Sequence, residues 1–274
     1  MKTGFVLSAC MASFSVVLGA CVGTPAAFEP AAVSTDPAHH GYLTRSELQH
    51  LADAVPPPPP TGSQVEAADR ALSASYRVLE NTDRWLMATS HAEVRSPFAL
   101  QHFDCALGVL FNPAENTTPA SARLMQRLFE DAEAASTIVK MRAHRPRPVG
   151  DDPNREACQR VSDTGRASAS YPSGSATVAA AYGEAMAAIA PDHAEAARDT
   201  AHQIALSRVI CGMHYPLDAQ TGEQLGKAVF ERAAITPGFQ ADLALARQEY
   251  VSLKASGKTN PGCAAERAAL LQTP

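Results

Sequence analysis

Aromatic side chains are scarce in this chain, making up 6% of its 274 residues with a single tryptophan. Alternating runs of β-branched and aromatic residues, the raw material of a sheet, are missing as well. Alanine is by far the commonest residue, and such a composition favours helices. No basic excess is present: the net charge is −5, which excludes the positive face of a nucleic-acid binder. An anionic ligand would have to be met by a local basic pocket. The cysteines lack the close pairs of a zinc site. Internal repeats are absent, and beyond the first twenty residues no apolar run is long enough to span a bilayer.

The start of the chain reads as an export signal over residues 1–20. Lys2 supplies the positive end, an apolar stretch runs from Phe5 to Leu18, and the small residues Gly19 and Ala20 follow. Leu18-Gly19-Ala20-Cys21 resembles a lipoprotein cleavage box, which would make a lipid on Cys21 the chain's sole attachment to a membrane. The alternative is ordinary cleavage after Ala20, with Cys21 incidental. The location implied is the periplasm or cell envelope. Cys105, Cys158, Cys211 and Cys263 remain for two disulfides, and all three pairings stay open.

Residues 21–62 read as an extended Pro/Ala-rich arm. The run Pro56–Pro60 has no backbone donors and admits neither a helix nor a central strand. Residues 63–274 read as one all-α bundle. Ser63 with Glu66 forms a capping box ahead of a stripe from Val65 to Leu79. Further helices are expected from Thr118-Pro119 to Lys140, from Ser173 to Ala190, and from an Asp192/Glu195 cap to Ile210. Two more should run from Pro216 to Ala234 and from Phe239 to Ala255. Small Ala and Gly residues would let these helices approach closely.

Three segments carry candidate chemistry. In Lys140-Met-Arg-Ala-His-Arg-Pro-Arg147-Pro148 the two outer cations are seven residues apart, so on one helix they would share a face, with Pro146 disturbing the final turn. In Ser170-Tyr-Pro-Ser173-Gly174-Ser175 a turn opens a helix, leaving backbone N–H groups and a helix dipole for an anion, with Gly174 letting it come close. In Ser207-Arg208-Val-Ile-Cys-Gly-Met-His214-Tyr-Pro-Leu-Asp218 the histidine lies in a bend, and Asp218 is expected to accept a hydrogen bond from one ring nitrogen and free the other as nucleophile.

Together the segments match Lys-x6-Arg-Pro, then Pro-Ser-Gly-His, then Ser-Arg-x5-His-x3-Asp. By this signature the chain resembles the superfamily of type 2 phosphatidic acid phosphatases, bacterial class A nonspecific acid phosphatases and vanadium haloperoxidases. Gly41–Thr44, Asn81–Trp85 and Phe103–Gly108 are similar to the acid phosphatases in particular.

The resemblance implies an acid phosphatase that hydrolyses phosphate monoesters of broad range with no metal or cofactor. Inorganic phosphate or vanadate would be ligands, nucleic acid would not be a partner, and the assembly would be a homo-oligomer. It assigns phosphate binding to Lys140, Arg147, Ser173, Gly174 and Arg208, and catalysis to His214 as nucleophile and Asp218 as its orienting group. Ser175 departs from the pattern, because the family's general acid at that position is a histidine. Turnover slowed by this change would favour aryl over alkyl esters, with His144 a candidate substitute acid. The alternatives are a silent phosphate binder and a vanadate-dependent haloperoxidase.

Overall fold

The computed structural model describes Met1, residues 39–112 and residues 119–274. The chain divides into Met1–Thr35, nearly all outside the described residues, and Asp36–Pro274. The expected export signal, Cys21 and Thr118 therefore lie outside the described residues. The second unit is all-α, with no strand among its described residues. Its helices are α1 (Arg45–Asp53), α2 (Gln64–Ser75), α3 (Asp83–Ser90), α4 (Asp104–Leu107), α5 (Pro119–Arg142), α6 (Pro148–Asp151), α7 (Asp163–Ala167), α8 (Gly174–Ile189), α9 (Ala194–Ile210), α10 (Pro216–Ala234), α11 (Pro237–Ser256) and α12 (Cys263–Leu270). None of the described helices is long and apolar enough to cross a membrane.

α8 is the hub. Thirteen of its sixteen residues are buried, so unlike an amphipathic surface helix it is apolar all round, as a central helix must be. α9 and α10 pack along it most extensively and α5 closes a third side. α10 crosses so closely that a Cβ on Gly222 or Gly226 would strike the Ser173 or Thr177 carbonyl of α8. Glycine there brings backbone to backbone and fixes α10 over the first turn of α8. Leu124, Leu128, Ala132, Ala135 and Val139, all on one face of α5, are fully buried in the main core.

Three expectations need correction. First, residues 21–62 are not extended throughout, because α1 occupies Arg45–Asp53. Thr44 caps it by accepting from the Glu47 amide while Glu47 accepts from the Thr44 amide, the reciprocal box that stabilises a short helix. The segment ahead of it is tied to α5: Asp131 accepts from the Tyr42 and Leu43 amides at 2.8 and 3.2 Å, and Arg127 donates to the Gly41 carbonyl at 3.0 Å. The proline run Pro56–Pro60 carries no helix.

Second, the Asp192/Glu195 cap does not form. Pro191–His193 is a 3₁₀ turn and the N-cap of α9 is His193, with no side-chain cap. Pro191, preset for a helical first position, starts the turn early and takes Asp192 into it. Third, Lys140 and Arg147 do not share a helix. α5 ends at Arg142 and residues 143–147 are irregular, because Pro146 forbids the helical ladder and pushes Arg145 out of the helical region. The disulfides are Cys105–Cys263 and Cys158–Cys211.

Candidate active site

His214 sits in the bend between α9 and α10, where Gly212 turns the chain at φ 67° and Pro216 opens the next helix. The Met213 and His214 amides both donate to the Arg208 carbonyl at the end of α9. That turn ties the imidazole to Arg208. The ring is 3% exposed, and its two nitrogens have unequal partners. Nδ1 lies 2.8 Å from the Ser170 carbonyl, which can only accept, and Nε2 lies 3.0 Å from Arg147 Nη1, which can only donate. Each contact independently demands the tautomer with the proton on Nδ1. Nε2 therefore carries a lone pair facing the basic pocket. Burial holds His214 well below the usual imidazole range, reinforced by Arg147, Lys140 and Arg208, so the ring is neutral near pH 7.

Asp218 does not hold the ring as expected: its carboxylate is 4.0 Å from Nδ1, too long for a hydrogen bond. It accepts instead from the Ser170 hydroxyl at 2.5 Å, the Tyr215 amide at 2.8 Å and Arg145 Nη1 at 2.6 Å. The pocket geometry explains the displacement. Asp218 is the third residue of α10, where it caps the helix start, and its remaining oxygen is claimed by Arg145. Burial pushes the Asp218 carboxyl up, and Arg145 opposes it. The aspartate thus acts on the histidine at one remove, by holding Ser170, whose carbonyl meets the ring.

The pocket's cations reach it by different routes. Arg147 is the residue before α6, and its guanidinium is fixed by donating to the Ser168 hydroxyl and to the Met213 and Ala169 carbonyls. Lys140, in the last turn of α5, donates to the Pro172 carbonyl. Burial lowers it to about 7, and Arg147 adds to the fall. Arg208 is 4% exposed, yet its Nε and Nη1 have no hydrogen-bond partner. A buried guanidinium with unmet donors is costly in an empty protein and is what an anion site requires.

Ser173, fully buried, caps α8 with its hydroxyl on the Ala176 amide. The Thr177 amide goes to the Ser173 carbonyl, and the amides of Gly174 and Ser175 have no partner among the described residues. They point out of the helix start as a ready anion cradle. Ser175 is half-buried, and its hydroxyl makes no hydrogen bond among the described residues. His144 is exposed on the irregular stretch after α5 and has no hydrogen-bond partner among the described residues.

Among the described residues no cluster of His, Cys, Asp or Glu could hold a metal ion. The arrangement offers three cations, two free amides and one unprotonated imidazole nitrogen, a set suited to a tetrahedral oxyanion. Sequence reasoning missed Arg145, which bridges Asp218 and, at 2.7 Å, Asp69 of α2, and stacks 4.2 Å over the Tyr215 ring. Its place two residues before Arg147 was a signal; Asp69, far away in sequence, gave none.

The chain is 27% identical to an acid phosphatase of Zymomonas mobilis, over 82% of this chain and 83% of that protein. It is 27% identical to a non-specific acid phosphatase of Providencia stuartii, over 78% of this chain and 86% of the relative. A Salmonella typhi non-specific acid phosphatase is 26% identical, over 71% and 78% of the two chains. The chain is thus similar over most of its length to bacterial non-specific acid phosphatases, and it is a phosphatase. No family model matches this phosphatase. Its described fold aligns with a transmembrane PAP2-type phosphatidylglycerolphosphate phosphatase from Bacillus subtilis at a TM-score of 0.46 and 20% identity, over 71% and 92% of the two chains.

Proposed function

We propose that this phosphatase hydrolyses phosphate monoesters through a covalent phosphohistidine on His214. The observation that supports the reading is the unsatisfied Arg208 guanidinium, buried beside Arg147, Lys140 and a histidine whose Nε2 lone pair is set toward the pocket by two contacts. Phosphoryl transfer asks the protein chiefly to position the group and to stabilise charge on its equatorial oxygens. Arg208, Arg147, Lys140 and the Gly174 and Ser175 amides would take those oxygens.

In the empty site Arg147 donates to Nε2 and so covers the lone pair. Arriving phosphate offers Arg147 a stronger, charged acceptor, which uncovers Nε2 for attack on phosphorus. As the P–N bond forms and the ester P–O bond breaks, the imidazole becomes cationic. The Ser170 carbonyl on Nδ1–H, itself steadied by Asp218, stabilises that charge. Water then attacks phosphorus, breaks the P–N bond and releases inorganic phosphate. The export signal read over residues 1–20 would deliver this hydrolase to the cell envelope, where a lipid on Cys21 would anchor it.

Turnover of an aryl phosphate such as p-nitrophenyl phosphate tests the reading. The protein should release phosphate, and His214→Ala should abolish it while still binding phosphate. Binding without turnover in the unaltered protein would instead favour the silent phosphate binder. Vanadate should inhibit; vanadate-dependent bromide oxidation by peroxide would favour the haloperoxidase.

A further inference from the structure

The mechanism above leaves one proton unassigned. An alkoxide is a poor leaving group, and cleaving an alkyl ester at a useful rate needs an acid beside the departing oxygen. The residue next to the cradle's free amide, Ser175, is a hydroxyl with no acidity near neutrality. Lys140 is committed to the Pro172 carbonyl and to the anion's charge. His144 is exposed and touches nothing in the site.

One carboxyl does border the cradle. α5 presents Glu133, Ser136 and Lys140 at i, i+3 and i+7, and that face meets the first turn of α8. A Cβ placed on Gly174 would lie 3.2 Å from Ser136 Oγ and 3.6 Å from Glu133 Oε2. Glycine at 174 therefore leaves the Glu133 carboxyl beside the residue whose amide would hold the phosphate. The Glu133 charge also favours the ammonium form of Lys140. Glu133 is exposed, and among the described residues its side chain makes no hydrogen bond or ion pair, so neither oxygen is engaged there.

We propose that Glu133 is the general acid of this phosphatase, supplying the proton that Ser175 lacks the means to give. The inference rests on the phosphohistidine reading. Protonated Glu133 transfers its proton to the ester oxygen as the P–O bond breaks and the Nε2–P bond forms, and the alcohol leaves neutral. Water then attacks phosphorus, the P–N bond breaks and both water protons leave with the phosphate, while the Glu133 carboxylate regains its proton from solvent.

The test compares an alkyl substrate, glycerol phosphate, with p-nitrophenyl phosphate, whose leaving group needs little protonation. Glu133→Gln should lower kcat on the alkyl ester about 100-fold while keeping the aryl ester within about threefold. Adding Ser175→His to that variant should restore most of the alkyl rate. Melting temperature and sulfate affinity control for folding and for the cradle; should the glutamine variant fold poorly, Glu133→Asp, with its carboxyl drawn back, should show the same selective loss. Equal loss on both esters in a well-folded variant, or no loss on either, would overturn the assignment. Failure of the phosphohistidine reading looks different: the unaltered protein would show no aryl turnover above His214→Ala.

Discussion

Lys140 offers a quantitative handle on the cradle. Burial and the neighbouring Arg147 lower its ammonium to about 7 in the empty site. A bound dianion would reverse that penalty, since attraction between close opposite charges is strong in a partly dry pocket, so the lysine in the complex stays charged well above pH 8. Binding must then draw in a proton wherever the empty site has lost one. Taking about 7 for the empty site, the charged fraction falls from ~0.9 at pH 6 to ~0.1 at pH 8. Affinity for the dianion should weaken roughly tenfold over that interval, with ~0.9 proton taken up per ligand at pH 8.

Sulfate is the appropriate probe, being tetrahedral and doubly charged throughout this range, whereas phosphate titrates within it. Calorimetry in two buffers of different ionisation enthalpy reads the proton uptake directly. Lys140→Arg should bind sulfate with no pH slope between 6 and 8, because a guanidinium keeps its charge. A flat affinity in the unaltered protein, or the same slope in the arginine variant, would refute the reasoning.

Other consequences concern the frame around the site. Arg145→Met should cost about 3–5 kcal/mol of stability, because it leaves Asp69 and Asp218 buried without their shared cation; urea unfolding measures it, and a loss under 1 kcal/mol would speak against the bridge. Gly226→Ala should destabilise by about 1–3 kcal/mol or more, since the added methyl meets the Thr177 carbonyl, which is backbone and yields little. His91 and His102 pack edge-to-face at 5.1 Å beside the buried Arg84, and burial lowers both below the imidazole range. As pH falls below about 6.5 the unfolded chain protonates these rings first, so they subtract stability toward acid. His91→Gln should flatten that part of the stability profile measured by denaturation from pH 7 to 5; an unchanged profile would contradict it.

How much of this was legible in the sequence varies with the range of the interaction. The α8 start could be read because its causes are local: Ser173 caps, Gly174 admits close approach, and both act within one turn. The α1 helix was equally local, with Thr44 and Glu47 in the box spacing, but the surrounding Pro/Ala composition pointed to an extended arm. The convergence of Lys140, Arg147, Arg208 and His214 followed the motif blocks, although the route differs. Pro146 ends the helix, and the chain folds back to deliver Arg147 instead of presenting it one face along. Asp218 shows where sequence spacing stops being informative. Four residues from His214, it is near enough for a hydrogen bond, yet Arg145 and Ser170 draw it away, and Arg145's other partner is Asp69, 76 residues earlier. Only the folded chain brings Asp69 there.

The central claim is that Lys140, Arg147, Arg208, the free amides of α8 and His214 Nε2 surround one tetrahedral oxyanion. A crystal structure with orthovanadate addresses it most directly. The account predicts vanadium bonded to His214 Nε2, with its oxygens on Arg147, Arg208 and the Gly174 amide and Nδ1–H still on the Ser170 carbonyl. Vanadate bound elsewhere, or seated in the pocket with His214 turned away, would contradict it.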